Sequence, residues 1–178
     1  SYERFPGQFD LWLRDHFGLR QQAIAVYSNL KVRLFGTSPL PDQVALGTSY
    51  KWLYLNNYGS LHSYVRAVPF SESRIATFEK EAIRAHEWCM EHGIVYAWLF
   101  LPRKANVYTE NVPRWFVRRG EQSHLDIFLA RMQEHPEVLV LDGRPALDAA
   151  KVASADPLYY PDDSHWNPRG VYSVYPFL

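Results

Sequence analysis

Residues 159–170 read Tyr-Tyr-Pro-Asp-Asp-Ser-His-Trp-Asn-Pro-Arg-Gly and hold the side chains best suited to chemistry. Asp163 lies two residues before His165. In a non-helical segment such a carboxylate can swing onto the imidazole Nδ1, fix the tautomer and leave Nε2 free as a general base. That is the orienter and base half of a Ser-His-Asp system. A plainer role fits the same residues, because Asp- and Ser-rich turns cap helices. Asn167-Pro168 can start a helix running through Val171 and Tyr172. Ser164 lies between the pair in sequence, so its side chain is expected to point away from their shared face. Ser173 is expected within the helix.

The second candidate region is 102–120. It holds Arg103, Lys104, Arg114, Arg118 and Arg119 against one acid, Glu110, with Tyr108, Trp115 and Phe116 interleaved. Rings stack on sugar faces, and cations meet the carboxylates of an acidic polymer. The alternative is a solvated loop whose rings cover a sheet edge. The other candidates carry less. His62, His86, His92, His124 and His135 lack metal-site spacing and read as scattered surface histidines, so no metal is expected. His16 falls on an apolar stripe and reads as structural. Cys89 does likewise and reads as a small core residue. Asp142 suits a catalytic strand end or, more simply, a turn start before Gly143.

These residues need elements to position them. Phe9, Trp12, Leu13, His16 and Phe17 recur at helical spacing. After Gly18, a second stripe follows in Ala23, Val26, Tyr27, Leu30 and Leu34. Segment 36–49 is loop by composition, and 52–55 is a short strand candidate. Ile75, Phe78, Ala82, Ala85 and Cys89 predict a long helix over 71–92, stopped by Gly93. Residues 94–101 (IVYAWLFL) are continuously apolar, the pattern of a strand buried on both faces. A helix over about 121–134, with Leu125, Phe128, Leu129 and Met132 inward, then leads to a second strand at 137–142. Strand, loop, helix, strand is a βαβ unit with parallel strands. Sites in open α/β sheets gather beyond the carboxyl ends of strands, which here feed 102–120 and the segment after Asp142.

Composition narrows the function classes. The 178 residues suit one domain, with 19 Lys+Arg against 19 Asp+Glu. Zero net charge removes the electrostatic footprint of a general nucleic-acid binder. One Cys excludes an internal disulfide framework and a thiolate-rich zinc site. No apolar run approaches the ~18–20 residues of a bilayer span, so no membrane span is expected. Aromatic residues make up 16%, more than a small core needs, which invites a ring-lined surface in the two candidate loops, from Tyr108, Trp115, Tyr159, Tyr160 and Trp166.

DSHWNPRG at 163–170 resembles the Asp-x-His-Trp-Asn-x-x-Gly signature of the SGNH hydrolase-like alginate O-acetyltransferase family. Three other segments resemble family blocks in the same order: DHFGLR at 15–20, LGTSYKWLYL at 46–55 and LPRKANVYTENVP at 101–113. The resemblance implies an α/β, flavodoxin-like parallel sheet flanked by helices, and a triad in which Asp163 orients and His165 acts as base. A serine would take an acetyl group and pass it to an exopolysaccharide or cell-surface glycan. The location would be periplasmic or exported. The acetyl group would come through a membrane-bound O-acyltransferase partner, and no cofactor is implied. Lys104, Tyr108, Trp115, Arg118, Trp166 and Asn167 would contact substrate.

The family serine follows the Asp-x-His-Trp block in a Gly-Asp-Ser-like turn, and no such turn occurs in residues 1–178. The Gly-Thr-Ser turns at 36–38 and 47–49 lie upstream and do not match the family order. The expectation is therefore one SGNH-like catalytic-domain portion, its C-terminal part and nucleophile elsewhere. The alternatives are an acetyl esterase, or a non-catalytic polysaccharide-binding or scaffold module with the same fold.

Overall fold

A computed structural model describes residues 7, 9–12, 18–49, 51–57, 60–66 and 69–177. Leu13, His16 and Phe17, and with them half of the 15–20 block, lie outside the described residues. The chain divides into two compact units, Ser1–Pro41 and Asp42–Leu178. The first contains helix α1 (Arg20–Phe35), ended by Gly36 in the left-handed conformation at φ 60°. The predicted stripe is on a helix, yet none of its residues is buried.

The second unit opens with an antiparallel hairpin, β1 (Val44–Leu46) and β2 (Leu53–Leu55), in the register Val44↔Leu55. Strand β1 corrects the reading of 36–49 as entirely loop. Three residues sufficed because Gly47 closes the connection, its N–H donating to the Trp52 carbonyl at 2.7 Å. A Cβ on Gly47 would lie 2.5 Å from the Asn111 carbonyl oxygen, so only glycine lets that segment approach. Helix α2 (Ser60–Val65) follows, then α3 (Glu72–Glu91). Helix α3 stops as the sequence predicts. Gly93 sits at φ 69°, its N–H bonds the Met90 carbonyl, and the Ile94 N–H bonds that of Cys89, a Schellman pair.

The βαβ unit is present. Strand β3 (Ala97–Phe100) runs parallel to β4 (Leu139–Asp142), pairing Ala97 with Leu139 through Phe100 with Asp142. Between them lie α4 (Lys104–Val107), a 3-10 turn at Thr109–Asn111, and α5 (His124–Met132). Helix α5 starts from a capping box in which Ser123 and Asp126 exchange hydrogen bonds. The parallel sheet has only these two strands among the described residues, narrower than the flavodoxin-like sheet expected. The expectation of a strand buried on both faces also fails: Ile94 and Val95 are exposed, and β3 has no fully buried residue. One layer, α3 and α5, covers β3 and β4 through Phe128, Met132, Ala82 and Val138.

After β4 come α6 (Arg144–Ala153) and α7 (Pro168–Val174). Arg144 joins three elements. It grips Asp142 with Nε to Oδ1 at 2.9 Å and Nη2 to Oδ2 at 2.7 Å, and reaches Asp126 of α5 at 2.5 Å. Asp142 is therefore a structural turn residue. Burial raises the Asp126 carboxyl, but its bonds from Arg144 and Ser123 outweigh this and bring it down to about 2.

Candidate functional site

The dyad sits on a small hairpin between α6 and α7. Tyr159 and Trp166 form an antiparallel bridge, the Tyr160 N–H donates to the His165 carbonyl at 3.1 Å, and the Asn167 N–H donates to that of Leu158 at 2.9 Å. Asn167 then caps α7, its Oδ1 accepting from Arg169 and Gly170, as its place before Pro168 predicts. Its Nδ2 donates to the Pro157 carbonyl, so both ends of this amide tie the hairpin base together. Gly170 allows the closure, since a Cβ there would lie 2.5 Å from the Leu158 carbonyl oxygen.

On this hairpin Asp163 Oδ1 meets His165 Nδ1 at 2.7 Å and accepts the His165 backbone N–H at 3.1 Å. The hydrogen bond from His165 holds the Asp163 carboxyl below its ordinary range. The imidazole side chain is 78% exposed, and no described residue hydrogen-bonds its Nε2. Neutral His165 thus donates through Nδ1 and presents an Nε2 lone pair to solvent, the state a general base requires. Ser164 does not point away from the pair. Its Oγ donates to Asp163 Oδ1 at 3.4 Å, on the carboxylate rather than at Nε2. Ser173 lies in α7 and donates to the Arg169 carbonyl. The Gly-Thr-Ser turns are also used internally, with Ser38 Oγ accepting from Leu40 and Thr48 Oγ1 donating to the Glu110 carbonyl.

Lys104, Tyr108, Trp166 and Asn167, four of the residues expected to meet substrate, are also built into the support of the hairpin. Lys104 is 3% exposed. Its ammonium donates to the carbonyls of Tyr160 and Pro161, each at 3.0 Å, and of Asp163 at 2.5 Å. It also sits 5.5 Å from the Trp52 ring centre and 5.1 Å from that of Tyr54. Burial lowers its basicity to about 8, against the pull of Asp163 and Asp162. Tyr108 is buried, with its hydroxyl accepting from the Leu158 N–H at 2.8 Å and its ring 4.6 Å from Trp52. Trp166 packs half-buried against the same core, with Tyr159, Leu147 and Val174. Burial also raises the Tyr159 hydroxyl, to about 12, and that hydroxyl donates to the Pro102 carbonyl.

These contacts correct the picture of a ring-lined surface. The Tyr108 and Tyr159 rings are core, because each hydroxyl finds a backbone partner inside and the rings bury large apolar area. Trp115 and Tyr160 stay exposed. Trp115 touches Phe116, and the Arg118 guanidinium lies over the Tyr64 ring at 4.7 Å. Sequence reasoning missed one feature, an open cavity of about 260 Å³ beside the dyad hairpin. Tyr54, Leu61, Arg103, Lys104, Ala105 and Ser164 are among the residues that line it. Its residues come from four separate segments, so no local spacing announces it.

Among the described residues no group of three or more His, Cys, Asp or Glu is arranged to hold a metal ion, and no helix is long and apolar enough to cross a membrane. The histidines are less scattered than expected. His135 meets Glu79 at 2.9 Å and Glu137 at 3.4 Å, His92 bonds the Trp88 carbonyl, and His124 stacks on Phe70.

Neither a curated protein nor a solved structure matches the chain significantly. A family described as SGNH hydrolase-like domain, acetyltransferase AlgX, matches residues 49–177, which include the second to fourth blocks almost entirely, the dyad and Lys104. The chain belongs to that family.

Proposed function

We propose, from that membership and the dyad geometry, that the chain supplies the orienter and base of an O-acetyltransferase acting on an exopolysaccharide or cell-surface glycan. The observation that carries this is the 2.7 Å contact between Asp163 and His165 Nδ1 beneath an exposed imidazole. His165 Nε2 takes the proton of a serine hydroxyl as its oxygen attacks the acetyl carbonyl of a donor. Asp163 stabilises the imidazolium, which returns the proton to the leaving group and leaves an acetyl-serine. A sugar hydroxyl then gives its proton to Nε2 and attacks the acetyl-serine, yielding the O-acetyl sugar and free serine. With water as acceptor the same sequence is an acetyl esterase. The serine comes from outside these residues, the acetyl group through a membrane-bound O-acyltransferase partner, and the setting is periplasmic or exported.

The test is acetyl release from p-nitrophenyl acetate by the protein expressed from its whole gene. His165→Ala and Asp163→Asn should each suppress it; equal rates in both variants and the wild type would dismiss the triad. One observation favours a second reading, a non-catalytic polysaccharide-binding or scaffold module: no described hydroxyl stands at Nε2. Under that reading, Trp115→Ala combined with Arg118→Ala weakens glycan binding about fivefold, roughly 1 kcal/mol of ring and cation contact. Acetyl release is then absent from the wild type.

A further inference from the structure

Lys104 is a charged residue that the protein buries almost completely, against a strong desolvation cost. The ammonium is compensated by its acceptors and by the Trp52 and Tyr54 rings. Its three hydrogens converge on the carbonyls of Tyr160, Pro161 and Asp163, so every donor is spent on the ascending arm and turn of one hairpin. The Leu53 N–H adds a second tie to the Pro161 carbonyl at 2.7 Å. The dyad side chains are exposed, His165 at 78% and Asp163 at 54%. Asp163 can meet Nδ1 only while its backbone keeps the turn.

We infer that Lys104 is the positioning residue of the dyad, a buried ammonium clamp that fixes the Asp163 backbone. The inference rests on the reading of Asp163 and His165 as orienter and base.

Burial brings Lys104 down to about 8 from 10.5. Opening the hairpin returns the amine to water as unfolding does, so both equilibria shift toward the closed state as pH rises between those values.

The experiment is amide hydrogen exchange, corrected for the intrinsic pH dependence, with kinetics in parallel. In Lys104→Met, exchange at Tyr160 and Asp163 should quicken about tenfold while α3 and α5 keep their protection, and kcat should fall with KM unchanged. Unaltered exchange at both amides would overturn the clamp. Should Lys104→Met lose protection everywhere, Lys104→Arg supplies the second measurement: it keeps the charge but replaces three convergent donors by a planar fork, so exchange at Tyr160 and Asp163 should quicken relative to α3 and α5. Equal hairpin-to-helix protection in Lys104→Arg and the wild type would sink the idea. Hairpin exchange reports the clamp without any acetyl transfer. A clamp that responds while His165→Ala leaves acetyl release untouched overturns the catalytic reading alone.

Discussion

Two histidine–carboxylate pairs in the second unit have nearly the same contact distance and opposite designs. His165 meets Asp163 at 2.7 Å on a hairpin, and His135 meets Glu79 at 2.9 Å across the α3–α5 layer. His135 uses both nitrogens, since Nδ1 faces Glu137, and Glu79 also takes Arg131. Its side chain is 27% exposed. His165 uses one nitrogen and keeps the other in solvent. A short histidine–carboxylate distance therefore identifies neither base nor brace. The unoccupied Nε2 makes His165 chemically available, and a held backbone keeps it aimed.

The largest expected effect breaks the comparison directly. His165→Ala or Asp163→Asn should lower kcat/KM by about 10³- to 10⁴-fold, while His135→Ala changes it less than about 2-fold. Similar losses at both histidines would show that the distinction drawn from the free nitrogen is false. The next concerns the frame of the active pair. Gly170→Ala must push α7 away from the Leu158 carbonyl, and should cost about 1–3 kcal/mol in denaturant unfolding. A variant as stable as wild type would mean the hairpin base is looser than its contacts imply.

The smallest effect sharpens the brace. The hydrogen bond with His135 lowers the Glu79 carboxyl, whose contribution holds above its ordinary value of 4.5 and fades as pH falls through the depressed one. The same bond raises His135, whose contribution is complete below 6.5 and fades as pH rises through the elevated value. The seam is therefore strongest between these ordinary values. Glu79→Gln should lower the melting temperature slightly, most at about pH 5–6 and least at either extreme, as exposed ion pairs allow. A deficit that stays constant with pH would remove the charge argument.

Much of this was legible from local pattern. The stop at Gly93, the cap at Asn167 and the parallel βαβ pair each depend on neighbours within a few residues or on a strong period, and each is present. So does the dyad, because a two-residue spacing fixes what a turn can bring together. Strand β1 was not legible, since three apolar residues among Pro and Gly carry no period. The exposure of Ile94 and Val95 was not legible either, because an apolar run records hydrophobicity and not whether a layer lies over it. Lys104 reads in sequence as one more cation in a basic loop. Its partners are 56–59 positions away, beyond the reach of any local rule.

The sequence by itself thus determined the chemistry available: a carboxylate two residues from an imidazole, no thiolate cluster, no bilayer-length apolar run and the blocks of one acetyltransferase family. Tertiary structure decided which of those groups face solvent and which are spent. Tyr108, Asn167 and Lys104 share the composition of a binding surface, yet the fold turns their polar ends onto backbone groups of the hairpin. The reason is physical. Buried polar atoms must find partners, and only the folded chain shows whether those partners are protein groups or are left for a ligand.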